Sequence, residues 1–230
     1  ELYQSQEVTD AEYKKHKLLE YLRKATDFGG RNYPLPIRYS KNQGGSAVFA
    51  TAQSNAGSAS FSEFLLTRAK DYAVLRIETE VIRAAKRGEF GFVDGLKSEM
   101  DDTKRTALRS IALAMYGVGS GTRGQIDSTV TGSTITLLNK RDIVRFEGNM
   151  VIGAASAETG GTERSGTVTI SAINASAGSM TVSNLSGITS LAANDFLFRS
   201  GDYDVHLKGV KAWVPPTAPT STSFFGVNRT

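Results

Sequence analysis

Residues 89–116 read EFGFVDGLKSEMDDTKRTALRSIALAMY, and the spacing of their apolar side chains decides how the rest of the chain is parsed. Phe92, Val93, Leu96, Met100, Ala107, Leu108, Ile111 and Met115 recur at steps of three and four, the period that gathers residues on one face of an α-helix. Lys97, Glu99, Asp101, Lys104, Arg105 and Arg109 fill the other face. At about 1.5 Å of rise per residue such a helix would run roughly 40 Å, long for an ordinary domain, and a helix of that length usually spans something. Together with the residues from Phe61 onward, this stretch predicts two amphipathic helical segments broken at Gly88-Glu89, a helical unit over 61–126.

Upstream, Thr9-Asp10-Ala11-Glu12 has the form of a capping box, and Tyr13, Leu18, Leu19, Tyr21 and Leu22 continue from it into a short helix. Residues 1–30 therefore read as an N-terminal arm. The character then changes. Tyr33-Pro34-Leu35-Pro36-Ile37-Arg38-Tyr39 must be extended around its prolines, Lys41-Asn42-Gln43-Gly44-Gly45 is turn chemistry, and Ala47-Val48-Phe49-Ala50 is expected to run back as the second strand. Residues 31–60 thus predict a long two-stranded loop with too few apolar side chains for a core of its own.

Downstream, the runs Thr134–Leu137, Met150–Ile152, Thr167–Ile170, Met180–Val182 and Phe196–Phe198 are short β segments separated by Gly, Asn, Asp and Ser. Their spacing predicts a small antiparallel barrel or sandwich over 127–205. The last stretch, 206–230, carries Trp213-Val214-Pro215-Pro216 and Pro219 and reads as an extended return connection.

A chain of 230 residues with 40% hydrophobic content can bury one core or two modest ones. With no cysteine, disulfides, thiolate nucleophiles and thiolate metal sites are excluded together, and a reducing compartment fits. No apolar run approaches the roughly 20 residues that cross a bilayer. The net charge of +4 divides as +4 over residues 1–126, −3 over 127–205 and +3 over the tail. That spread lacks the basic stripe interleaved with aromatics of a dedicated nucleic-acid binder. The densest basic run, Arg83–Arg87, closes a predicted helix, where cations favour the dipole.

The motifs that invite catalysis are weak. Gly119-Ser120-Gly121-Thr122-Arg123-Gly124 has the letters of a dinucleotide-binding loop, but that mechanism needs a strand before it and a helix after. Here the order is reversed, so a flexible loop is expected. His16 and His206 have no partner at metal-ligand spacing and read as exposed or interface histidines. Glu99, Asp101 and Asp102 share a helix surface with Lys104 and Arg105, which favours a solvated ion-pair network over acid/base or metal chemistry. Gly201-Asp202-Tyr203-Asp204 supplies too few oxygens for a calcium loop. The sequons at Asn174 and Asn184 carry no weight without secretion. No enzyme activity, catalytic residue, metal or cofactor is expected.

Beside that reading stands a resemblance. The strings Gly45–Asn55 (GSAVFATAQSN), Thr67–Ala73 (TRAKDYA), Gly88–Leu96 (GEFGFVDGL), Met115–Gly121 (MYGVGSG) and Phe146–Met150 (FEGNM) resemble tailed-bacteriophage and prophage major capsid proteins of the HK97 fold. The resemblance spans roughly residues 30–215. It implies an α+β fold with an N-terminal arm, an extended E-loop hairpin, a long spine helix, an inserted small antiparallel β barrel or sandwich, and a return to an axial domain of which much lies beyond Thr230. It implies a structural head protein, made in the bacterial cytoplasm and residing in the virion, that self-assembles into an icosahedral shell around DNA. Its partners would be its own copies, a scaffold or maturation protease, and packaged DNA held non-specifically, with no membrane. Tyr33, Ile37, Tyr39, Lys41, Val48 and Phe49 are the expected inter-subunit contacts, since a hairpin without a core is ordered only if another surface receives it. The alternatives are another virion structural or adhesin-like protein with a β-barrel binding domain, and an enzyme with its site around Glu99, Asp101 and Asp102 or outside this chain.

Overall fold

The computed structural model describes residues 17–22, 28–75, 90–128, 130, 132–219 and 223–229. Thr9–Glu12, His16 and Arg83–Arg87 lie outside the described residues, as do the side chains of Phe92, Val93 and Leu96. The chain divides into two compact units. A hairpin unit, within 17–68 and 215–230, holds strands β1 (Asn32–Arg38) and β2 (Phe61–Thr67) and, near the C-terminus, the short β9 (Ser223–Phe224) and β10 (Val227–Asn228). A barrel unit, within 69–214, holds β3 (Thr122–Gln125), β4 (Thr134–Thr136), β5 (Val151–Ala155), β6 (Val168–Asn174), β7 (Ser179–Val182) and β8 (Phe196–Arg199).

In the barrel unit the strands pair antiparallel in the order β3-β8-β5-β6-β7-β4. The sheet then closes on itself. Ile126 bridges Leu137, Asp127 N–H donates to Thr136 O at 3.0 Å, and Leu138 N–H donates to Gln125 O at 2.9 Å. Closure removes both edges of the sheet. Alternate residues fill the interior: Ile126, Ile135, Leu137, Ile152, Ala154, Val168, Ile170, Met180, Val182 and Leu197 are all buried. Ile143 and Phe146, from a 3₁₀ turn over Lys140–Arg145, join them. Asn139 caps that turn by accepting from Arg141 N–H at 3.2 Å. At one end Arg164 grips buried Asp195 in two hydrogen bonds of 2.9 and 2.8 Å, and Ala192 N–H at 2.8 Å completes the carboxylate's shell.

A helix over Phe90–Tyr116 leads into the barrel. Among its described side chains the buried ones are Ser110 and Met115, in the last turns. Met100 and Ile111, expected on the buried face, are 43% and 38% exposed. After Tyr116 the chain turns through Gly119 and Gly121, both in the left-handed region at φ 96° and 71°, and enters β3. Residues 202–209 lie back against this crossing. Asp204 N–H donates to Ser120 O and His206 N–H to Gly119 O, each at 3.1 Å. A Cβ at Gly121 would collide with the Asp202 carbonyl, and one at Gly209 with the carbonyl oxygens of Ala114 and Met115.

These observations overturn the HK97-like α+β assignment. The continuous core lies inside a closed six-stranded β-sheet, and no described helix lies along a sheet as a spine. Met100 and Ile111 of the Phe90–Tyr116 helix, apolar side chains a spine would bury, are exposed. Two local expectations also fail. Phe61–Thr67 is a strand rather than the start of a helix, and Ala47–Ala50 is not the return strand, since Phe49–Ser54 forms a short helix. The Gly119–Gly124 segment is a packed crossing, with Ser120 and Arg123 buried, and not a flexible loop.

In the hairpin unit β1 and β2 pair over seven residues, from Asn32 opposite Thr67 to Arg38 opposite Phe61. Pro34 faces Leu65, whose N–H points the other way and donates to Phe225 O at 2.8 Å. Pro34 therefore occupies a position where no ladder donor is required, which is how a strand tolerates proline. The β9–β10 hairpin turns on Phe225-Gly226, both at positive φ (50° and 90°), as a two-residue loop of primed type demands. Phe224 meets Phe64 edge-on with ring centres 6.3 Å apart, and the Arg229 guanidinium lies 3.9 Å from the Phe224 ring centre. Phe224 and Val227 are the buried apolar side chains of this unit among the described residues.

Candidate functional site

Two features stand out chemically: the uncovered surface of the hairpin unit, and a charged junction in the barrel unit.

The hairpin's 22-residue connection, 39–60, is ordered by polar groups rather than by a core. Ser40 Oγ accepts from Ser60 N–H at 2.8 Å, and Tyr39 N–H donates to Ser60 O at 3.2 Å. Asn42 Oδ1 accepts from both Gly44 N–H and Gly57 N–H, at 2.9 and 3.2 Å. These bonds close the two sides of the connection over a span that presents apolar groups to solvent. Phe49 is 81% exposed, Tyr39 69%, Phe61 68% and Val48 59%. Of the residues expected to make subunit contacts, Tyr39, Lys41, Val48 and Phe49 are exposed on this connection, while Tyr33 and Ile37 are half-buried on β1. Tyr33 packs edge-on against Phe28, 6.0 Å between centres, and Arg68 stacks 4.5 Å over the other ring of that pair, Phe28. Phe61 and Leu65 add to the exposed apolar surface; sequence reasoning missed them because it placed them on a helix.

In the barrel unit, Asp202 is the hub of a charged cluster. Arg199 Nε lies 2.7 Å and His206 Nε2 3.1 Å from Asp202 Oδ2, and Arg199 Nη2 reaches Asp71 Oδ1 at 3.2 Å. Burial works to raise the Asp202 pKa, but His206 and Arg199 outweigh it, and the carboxyl sits below its usual range. Burial likewise opposes the charge on Arg199, and its two aspartates more than restore it. Asp204 points elsewhere, accepting from Thr159 Oγ1 and Gly160 N–H, both at 2.8 Å. The two carboxylates of Gly201–Asp204 therefore do not converge on one point, as a cation site would require. His206 was expected to be exposed or at an interface; its side chain is 9% exposed and belongs to this cluster.

Beside the cluster, two cavities of about 270 and 390 Å³ flank the buried pair Ser110 and Arg123, which line both. Ser110 Oγ is buried without a hydrogen-bond partner. Arg123 donates to Arg145 O at 2.9 Å, and Arg145 donates back to Arg123 O at 3.2 Å. Burial first, and then the nearby Arg199, lower the pKa of Arg123. Arg109, on the larger cavity's wall, is paired with Glu147. On the exposed helix surface Asp102 sits 3.7 Å from Arg105.

None of the described helices is long and apolar enough to cross a membrane. No known protein family, curated protein or solved structure matches the chain.

Proposed function

We propose that this chain is a structural subunit that assembles with copies of itself into a closed shell, the head of a tailed phage or prophage surrounding DNA, so that it resides in a virion after synthesis in the bacterial cytoplasm. The observation that carries this reading is the hairpin unit: an ordered connection over 39–60 that exposes Tyr39, Val48 and Phe49, continued by exposed Phe61 on β2, while Phe224 and Val227 are the buried apolar side chains of the unit among the described residues. Ordering such a segment costs roughly 1–2 kcal/mol of backbone entropy per residue, and exposed aromatics of this size mark a surface that meets a partner. In a symmetric shell each copy supplies that partner to the next, and repetition makes a modest interface sufficient. Shell building requires self-complementary surfaces rather than one particular fold. Enclosed DNA would be met through its phosphates, without sequence readout.

Electron microscopy and sedimentation of the purified chain test this reading. Rings or closed particles are expected, and the double variant Phe49→Ser, Phe61→Ser is expected to sediment as a monomer with an unchanged barrel. A wild-type chain that stays monomeric at high concentration would remove the basis for self-assembly.

A further inference from the structure

We propose that the larger cavity between the helix C-terminal turns and the barrel, lined by Arg109, Ser110, Arg123 and Arg199, binds a phosphate-class oxyanion. Two independent observations at the same spot point there. Ser110, only 3% exposed, lines this cavity, and its buried Oγ has no hydrogen-bond partner. Arg123, 7% exposed, carries five N–H donors, and its hydrogen bond among the described residues goes to one backbone carbonyl, that of Arg145.

The direct ion pairs leave Arg123 aside: Arg199 pairs with Asp71 and Asp202, and Arg109 with Glu147, the single carboxylate on the cavity wall. Arg123 has no ion-pair partner among the described residues. Asp202 and Glu147 act on it through space without a direct pair; a buried guanidinium with unspent donors gains from an anion that joins it, and its planar fork suits two oxygens of a phosphate. A volume of about 390 Å³ admits a free phosphate or a small phosphate monoester.

The test uses the full chain, melted and titrated calorimetrically in chloride buffer against inorganic phosphate and, separately, ribose 5-phosphate, at matched ionic strength and pH. Either ligand at about 100 times its dissociation constant should raise the melting temperature by about 5 °C. A response to inorganic phosphate assigns the site to the anion itself, and a stronger response to ribose 5-phosphate assigns it to a monoester. Arg123→Met should abolish the response while melting at or above wild type in chloride, because a buried guanidinium with no direct ion pair is gone. Should that variant fail to fold, Ser110→Ala decides, with an expected loss of about fivefold in affinity from one lost hydrogen bond. Absence of a wild-type response to both ligands, an Arg123→Met protein that responds like wild type, or an unchanged affinity in Ser110→Ala would each overturn the proposal.

Discussion

At Asp202 a single carboxylate holds together three segments of the barrel unit: β8 through Arg199, the stretch before the helix through the shared Asp71 pairing, and the 202–209 return through His206. Its pKa is lowered in the folded state, so it contributes stability that is complete above the ordinary aspartate range near pH 4 and is lost as pH falls through the folded value. Stability of the wild-type barrel should therefore fall below about pH 4. Asp202→Asn should be about 3 kcal/mol less stable at neutral pH, since it strands Arg199 and His206, and its acid limb should be shallower. Urea melts from pH 3 to 7 measure both, and parallel curves for the two proteins would contradict the assignment. Gly209 makes a different kind of contact, backbone against the helix end. Adding one methyl in Gly209→Ala should cost about 2 kcal/mol through overpacking, read as a lower urea midpoint with an unchanged slope. Neither residue announced its role in the sequence. Gly209 meets its contacts only when 202–209 folds back on 114–121, and the cluster at Asp202 is completed by Asp71, 128 residues from Arg199.

The elements were unevenly legible. The barrel strands could be read from short runs rich in β-branched and aromatic residues between Gly, Asn and Ser, even though β5 and β7 are buried at nearly every position. The helix ending at Tyr116 was also legible in extent, since its three-and-four spacing persists over several turns. Its buried face was not: among the described side chains Ser110 and Met115 are buried, while Met100 and Ile111, which the apolar periodicity marked, are 43% and 38% exposed. Phe61-Ser62-Glu63-Phe64-Leu65-Leu66-Thr67 misled for a related reason. Phe61, Phe64 and Leu65 satisfy helical spacing, yet Ser62, Phe64 and Leu66 are the inward set of a strand whose exposure alternates residue by residue. What decided the outcome was a partner, β1, whose prolines forbid a helix and whose free edge needs a pairing strand. Short apolar runs do not contain that information.

Across the whole molecule the division of labour is clear. The barrel unit carries the continuous hydrophobic core, and the hairpin unit carries exposed aromatic surface over 39–60 with little behind it. A protein that needed only to be stable would have no use for the second unit in that form. Covering by another copy would offset the cost of that surface. The most direct measurement replaces residues 40–59 with a short Gly-Ser turn, keeping the Tyr39–Ser60 pairing that begins the ladder, and follows thermal unfolding and particle formation side by side. The barrel should melt within about 2 °C of wild type, because none of its core residues lies in the excised segment, while rings and particles should disappear. Normal assembly by the shortened protein would contradict the account.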